Sequence, residues 1–165
     1  MTRYLALFGS INVGGNRLKM ADLRYAFERE EFENVETVVA SGNVLFDFDD
    51  RPTEGLEELF AYMMRTKEEV RAAVEDNPFV GAGEDKFVHT HFLESQPGEE
   101  QFDKLVSDHQ GRGEEKLALG NRCLYIDYVN GVGDSKLTAA FIERRLGCRG
   151  TARNVRSLAR ILTKM

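Results

Sequence analysis

A pair of β-hairpin signals, one in each half of the chain, constrains the fold more than any other feature of the sequence. In the first half, Ser41-Gly42 separates two strand-like runs rich in Val, Thr and Phe, residues 35–40 and 43–48. In the second half, Gly120-Asn121 separates two further strand-like runs, residues 117–119 and 122–128. Glycine and asparagine tolerate the backbone conformations of tight hairpin turns. The sequence therefore predicts two antiparallel strand pairs, which an all-helical or an all-parallel fold does not contain.

Both hairpins lie within the same predicted order of elements, β-α-β-β-α. Short apolar runs predict the strands, and apolar residues at helical spacing predict the helices. The predicted strands are 3–8, 35–40, 43–48, 86–93, 117–119 and 122–128, and the predicted helices are 19–31, one opened by Pro52, 66–76, 99–109, 135–146 and 154–163. We infer a duplication and an α+β fold class, with two ferredoxin-like βαββα halves and a C-terminal helix.

Asn77-Pro78-Phe79 marks the predicted boundary between the halves, because these residues interrupt the preceding helical pattern. Residues 1–78 are expected to form the first α+β half. Residues 79–165 are expected to form the second half together with the basic C-terminal helix. At a length of 165 residues, the halves are expected to make one compact unit.

Composition excludes several classes of protein. Hydrophobic residues make up 42% and charged residues 30% of the chain, which is typical of a packed globular protein. No apolar run reaches the roughly 18 residues that a membrane span requires, and the first ten residues lack the pattern of a signal peptide. Cys123 and Cys148 lack the spacing of metal ligands, so both are expected to be free thiols. We expect a cytoplasmic protein with no membrane partner, no metal and no cofactor.

Charge is distributed unevenly along this chain, whose net charge is −6. Residues 136–165 hold eight basic residues and one acidic residue, a net +7, so the remainder carries −13. Basic residues at helical spacing are expected to line one face of the last helix, and guanidinium groups suit phosphates. The candidate polyanion-binding residues are Arg153, Arg156, Arg160 and Lys164. The alternative is a solvated face, or one paired with acids such as Glu28, Glu30 and Glu31.

Two loops that precede predicted helices are candidate phosphate sites. Glycines in the loop from Gly9 to Asn16 let backbone N–H groups point at an anion, although the loop lacks the known nucleotide fingerprints. Its alternative role is a plain strand-to-helix turn, and for Ser135 the alternative is capping of the next helix. The candidate ligand-binding residues are Asn12, Gly14, Gly15, Asn16, Ser135, Lys136, Arg153 and Asn154.

Histidine and cysteine give no clear site. His89 and His91 share a face of a predicted strand near Glu94, but a third metal ligand at suitable spacing is absent. Cys123 becomes a neighbour of His89 if their strands pair, yet nothing in the sequence activates the thiol. His109 ends a predicted helix, where a favourable interaction with the helix dipole is enough to explain a histidine. No metal centre is predicted, and no catalytic residue is assigned.

Several separated motifs, taken in order, resemble the bacterial family called domain of unknown function 1697. They are Tyr4-Leu5-Ala6-Leu7, Ile11-Asn12-Val13-Gly14-Gly15, Lys19-Met20-Ala21-Asp22-Leu23, Ser41-Gly42-Asn43-Val44, Asn77-Pro78-Phe79, Ser135-Lys136-Leu137-Thr138 and Thr151-Ala152-Arg153-Asn154. The resemblance runs from end to end. It implies a fold class and a bacterial origin, but no activity.

The chain departs from that family's pattern at two places. Phe8-Gly9-Ser10 replaces the usual leucine, arginine and glycine of the first loop. Tyr62-Met63-Met64, taken as the end of a helix, meets Arg65-Thr66 without the usual intervening strand. The first half is therefore expected to lack its last strand. The exposed sheet edge that results predicts a homodimer through the truncated first half.

The sequence leaves the function open among three classes. The leading hypothesis is a binding protein for a phosphate-bearing ligand, a nucleotide or a nucleic acid, which uses the first loop and the basic C-terminal face. The first alternative is an enzyme that acts on a small anionic metabolite in a cleft between the halves. The second alternative is a structural dimer module.

Overall fold

The computed structural model describes residues 2–8, 32–38, 42–48 and 62–165. The strands in these ranges are β1 (Thr2–Phe8), β2 (Glu33–Thr37), β3 (Asn43–Phe48), β4 (Tyr62–Thr66), β5 (Val88–Leu93), β6 (Lys116–Gly120), β7 (Cys123–Asp127) and β8 (Gly150–Asn154). The helices are α1 (Lys67–Glu75), α2 (Glu99–His109), α3 (Ala139–Leu146) and α4 (Val155–Lys164). The predicted helix at 19–31 and most of the one opened by Pro52 lie outside the described residues.

The strands form two antiparallel sheets with the same order. The first sheet runs β2-β3-β1-β4 and the second runs β6-β7-β5-β8. Each central pair is antiparallel, with Leu5 opposite Leu45 in the first sheet and Thr90 opposite Tyr125 in the second. This order is that of two ferredoxin-like halves, so the predicted α+β fold class is confirmed.

The predicted loss of the fourth strand from the first half is wrong. Residues Tyr62–Thr66, assigned in part to the end of a helix, form β4, which pairs with β1 and places Arg65 opposite Leu5. The chain passes from this edge strand directly into α1. The truncated sheet edge on which the homodimer prediction rested therefore does not exist. The corresponding strand of the second half, β8, was also not predicted.

One compact unit comprises residues 1–71 together with residues 160–165. Its core is the middle of β1 and β3, where successive side chains are buried on both faces of the sheet because hydrophobic residues do not alternate with polar ones. The Phe46 ring stacks on Tyr4, with 5.6 Å between ring centroids, and contacts Phe32 at 4.6 Å. These aromatic contacts fix the register of the strand pair.

The second compact unit comprises residues 72–159. Helices α2 and α3 pack side by side, and their apolar faces share a core with one face of the second sheet. The buried members of this core are Leu93, Leu105, Leu124, Ile126, Tyr128, Leu137, Phe141, Ile142 and Leu146. No helix in the described ranges is both long enough and apolar enough to span a bilayer.

Candidate ligand-binding site

The first-loop candidates Asn12, Gly14, Gly15 and Asn16 lie outside the described residues. The remaining candidates lie in the described part of the chain, but they do not form one site. They are Ser135, Lys136, Arg153, Asn154, Arg156, Arg160 and Lys164. Ser135 and Lys136 line a pocket in the second compact unit.

Arg153 does not lie on the face of the last helix, which corrects the predicted basic stripe. It belongs to β8, where the residue is 6% exposed and its guanidinium donates from Nη1 to the Thr151 hydroxyl at 2.6 Å and to the Ala152 carbonyl at 2.9 Å. Burial lowers the Arg153 pKa to about 10, because a low-dielectric setting disfavours the charged form. A side chain this buried is not presented to a polyanion.

Asn154 and the basic residues after it have separate roles. The Asn154 side chain caps α4, since its Oδ1 accepts a hydrogen bond from the Ser157 amide at 2.8 Å. Arg156 and Arg160 are exposed one turn apart on α4. Lys164 lies 3.3 Å from Glu36, so one member of the predicted stripe pairs with an acid of its own chain. In the described part of the chain, two arginines of the stripe are thus exposed without an acidic partner.

The pocket around Ser135, which we call the Ser135 pocket, has a volume of about 310 Å³. Two segments build it, the turn between α2 and β6 and the loop between β7 and α3. Its lining residues are Arg112, Gly113, Glu114, Glu115, Tyr128, Asn130, Gly131, Asp134, Ser135 and Lys136. The structure therefore brings the predicted Ser135 and Lys136 together with residues that sequence reasoning did not select.

Ser135 does not cap a helix, contrary to the predicted start of α3 at this position. Thr138 is the N-cap, and its hydroxyl accepts from the Phe141 amide at 3.2 Å. The Ser135 hydroxyl instead accepts from the Leu137 amide at 3.1 Å and donates to Glu115. Residues 135–138 thus form a loop rather than the first turn of the helix, which leaves Ser135 at the pocket wall.

Glu115 is a buried carboxylate at the base of the Ser135 pocket. Its side chain is 8% exposed, and its Oε2 lies 3.2 Å from His109 Nε2, although these atoms are not aligned for a hydrogen bond. Burial raises the Glu115 pKa, but the Ser135 hydroxyl, the backbone and the His109 charge together outweigh burial, so the pKa is lowered. Glu115 is therefore ionised near neutral pH.

The order of these three side chains argues against a serine nucleophile. In a catalytic triad, the histidine lies between the serine and the carboxylate and takes the proton of the serine. Here Glu115 lies between Ser135 and His109, so the serine proton is held by a carboxylate. This arrangement fixes the Ser135 hydroxyl and does not activate it.

Two cations line the Ser135 pocket. Arg112 lies over the Phe141 ring, with its Cζ 4.4 Å from the centroid. Lys136 is exposed on the loop between β7 and α3. Among the residues that the structure describes, neither cation has a carboxylate within 4.0 Å. Stacking holds the Arg112 guanidinium in place, so less conformational entropy is lost when it binds an anion. Both charges are available to a ligand.

Carboxylates also line this pocket. Glu114 accepts a hydrogen bond from the side-chain Nδ2 of Asn130 at 3.1 Å, and Asp134 is exposed. In the described part of the chain, neither carboxylate has a basic partner within 4.0 Å. The pocket therefore offers unpaired charges of both signs.

The histidines of β5 do not build a metal centre. No cluster of three or more potential metal ligands occurs in the described ranges. His91 is 3% exposed, and burial, reinforced by His89 and Arg153, lowers its pKa to about 4, so the ring is neutral. Cys123 pairs in register with Phe92, whereas His89 pairs with Ile126. Cys123 and His89 consequently point to opposite faces of the sheet and are not neighbours.

Sequence reasoning missed Arg112, Glu115 and Tyr128 as pocket residues. The signal that was available is the glycine-rich turn Gly111-Arg112-Gly113 directly after a helix, which places charged residues on a loop. That this turn meets the loop around Ser135 depends on the packing of α2 against α3, and no local pattern reports such packing.

Comparison with known proteins identifies a family but no activity. The sequence profile of a family described as "Protein of unknown function (DUF1697)" matches residues 1–125. A solved structure described as that of a conserved bacterial protein from Streptococcus pneumoniae has 23% identity and a TM-score of 0.71, over 99% of this chain and 98% of that one. At this identity the likeness shows the fold alone. No protein of curated function matches the chain at a significant level.

Proposed function

Since the chain belongs to the DUF1697 family, whose description assigns no activity, we propose from its own Ser135 pocket that it binds a small phosphate-bearing ligand. The observation that carries this proposal is the convergence of Arg112 and Lys136 on one pocket, without carboxylate partners in the described residues. A guanidinium and an ammonium that line the same pocket can together neutralise a phosphate dianion.

The size of the pocket favours a small ligand. A volume of about 310 Å³ lies at the lower end of the range for small-molecule sites. The buried Glu115 carboxylate and its neighbours Glu114 and Asp134 repel any further negative charge. A sugar phosphate or a mononucleotide fits this mixture of positive and negative charges better than a nucleic acid does, because a nucleic acid presents a phosphate at every step of its backbone.

Calorimetry with inorganic phosphate, ribose 5-phosphate and adenosine 5′-monophosphate tests the proposal. We expect the parent protein to bind at least one of these probes. Lys136→Met and Arg112→Met should each weaken binding by roughly tenfold or more, the amount typical of a hydrogen bond to a charged group. Matched controls are Lys164→Met and Arg149→Met, which remove exposed cations that do not line the pocket.

Two results would contradict the proposal. One is the absence of binding of all three probes by the folded parent protein. The other is a loss of affinity that is no larger in the pocket variants than in the control variants, because binding would then not depend on Arg112 and Lys136. Circular dichroism of each variant establishes that it is folded before its affinity is compared.

A further inference from the structure

The hydrogen bonds of Ser135 restrict the ligand groups that the Ser135 pocket accepts. A hydroxyl has one proton to donate and two lone pairs that accept. The Ser135 proton is donated to the ionised Glu115 carboxylate, and one lone pair accepts from the Leu137 amide. What remains is a single lone pair. Ser135 therefore accepts a hydrogen bond from a ligand and does not donate to a phosphate oxygen.

This polarity divides the pocket into a donor group and an acceptor group. Arg112 and Lys136 have only donors to offer. Ser135, Glu114 and Asp134 offer acceptors, and the last two add negative charge. A phosphate alone would satisfy the donor group and would leave the carboxylates facing its negative charge. A ligand that also carries a cationic donor satisfies both groups.

We propose that the ligand of the Ser135 pocket is an aminoalkyl phosphate, in which the phosphate binds Arg112 and Lys136 while a primary ammonium group binds the Ser135 hydroxyl and the carboxylates Glu114 and Asp134. This inference rests on the proposed phosphate-binding function and names the chemical class of its ligand. An ammonium group fits better than a hydroxyl group, because it supplies three donors and also a positive charge against two unpaired carboxylates.

Four small probes that differ by one group each test this inference by calorimetry. O-phosphoethanolamine carries both groups, ethyl phosphate lacks the ammonium, ethanolamine lacks the phosphate, and phosphocholine keeps the positive charge without N–H donors. We expect O-phosphoethanolamine to bind at least about tenfold more tightly than ethyl phosphate and phosphocholine, since hydrogen bonds between charged groups are lost in both cases. Ethanolamine alone should bind weakest.

The outcomes separate this inference from the proposed function. Equal binding of ethyl phosphate and O-phosphoethanolamine overturns the ammonium inference and leaves phosphate binding intact. Binding of ethanolamine without binding of ethyl phosphate overturns both, since the pocket would then be a cation site. Failure of all four probes to bind overturns the ammonium inference, and it overturns the proposed function as well only when inorganic phosphate, ribose 5-phosphate and adenosine 5′-monophosphate also fail to bind. Phosphocholine binding as tightly as O-phosphoethanolamine overturns the assignment of N–H donors to Ser135 and the carboxylates.

A substitution at the acceptor group supplies an independent readout. Asp134→Asn should reduce the preference for O-phosphoethanolamine over ethyl phosphate, because it removes the charge of one carboxylate that is proposed to bind the ammonium group. Asp103→Asn is the matched control, since Asp103 is exposed on α2 and does not line the pocket. An unchanged preference in Asp134→Asn, together with an unchanged preference in Glu114→Gln, contradicts the inference.

Discussion

Arg65 and Arg153 occupy corresponding positions in the two halves of the chain. Each is the penultimate residue of an edge strand, is at most 6% exposed, and donates from Nη1 to the carbonyl of the residue before it at 2.9 Å. The next residue caps the following helix in both halves, through Thr66 Oγ1 and Asn154 Oδ1. The arrangement that recurs in both halves therefore includes a strand, a buried arginine, a cap and a helix without an intervening loop.

Truncation of Arg153 should destabilise the protein. Arg153→Ala removes donors to the Thr151 hydroxyl and the Ala152 carbonyl and leaves a cavity, so we expect the free energy of unfolding to fall by about 2–3 kcal/mol. Urea denaturation followed by circular dichroism measures this change. Arg156→Ala, on the exposed face of α4, should change stability by less than about 0.5 kcal/mol. Equal effects of the two substitutions would show that Arg153 has no structural role.

Acid should destabilise the protein through His91. Its pKa is about 4 in the folded state, against 6.5 for an unperturbed histidine. The unfolded chain therefore takes up a proton as the pH falls below about 6.5 while the folded chain does not. The stability that neutral His91 contributes is complete above this pH and decreases as the pH falls towards 4.

The size of this acid effect can be isolated with one variant. We expect the parent to lose roughly 2–3 kcal/mol more than His91→Gln between about pH 7.5 and about pH 4.5, because glutamine does not titrate. Urea midpoints at the two pH values measure the difference. His89, whose pKa is also lowered by burial, is present in both proteins, so its own burial contributes to both losses. Parallel losses in the two proteins would mean that His91 is protonated in the folded state.

A side chain at Gly150 should not be tolerated. A Cβ there would lie 2.5 Å from His91 Nε2 and 2.6 Å from the Phe92 carbonyl oxygen. We expect Gly150→Ala to lower the free energy of unfolding by about 1–3 kcal/mol, the usual cost of overpacking. Gly133→Ala is the control, since a Cβ at Gly133 meets no heavy atom within 4 Å. Thermal denaturation measures the difference. A melting temperature of Gly150→Ala that equals or exceeds that of Gly133→Ala would disprove the close packing.

The sequence predicted the parts of this fold that depend on local patterns. The strand Asn43–Phe48 and the helix Glu99–His109 have the predicted boundaries, because a hairpin turn precedes the strand and the apolar residues of the helix recur at helical spacing. Both fourth strands were missed for one physical reason. Each is a five-residue edge strand that continues into a helix with no turn residues between them, so no stop signal marks the change.

The candidate site was predicted only in part. Ser135 and Lys136 are candidates because they stand at the start of a predicted helix, and they do line a pocket. The expectation that Ser135 caps the helix is wrong. Thr138 is the N-cap, and the Ser135 hydroxyl donates a hydrogen bond to Glu115 instead. Arg153 was placed on a helix face because its spacing fits a helical period, although the strand β8 ends only at Asn154. Spacing alone does not separate the last residues of a strand from the first turn of a helix.

Nucleic acid binding should be weak in this protein. The exposed basic face of α4 retains Arg156 and Arg160, and each phosphate contact contributes about −0.9 to the slope of log affinity against log salt concentration. Anisotropy with short fluorescent DNA and RNA should therefore give a slope no steeper than about −2. Arg156→Glu/Arg160→Glu should abolish the residual binding, and Arg144→Glu/Arg149→Glu is the charge-matched control. A slope of about −5 that persists in Arg156→Glu/Arg160→Glu would contradict this prediction, because it would require several phosphate contacts by residues other than these two arginines.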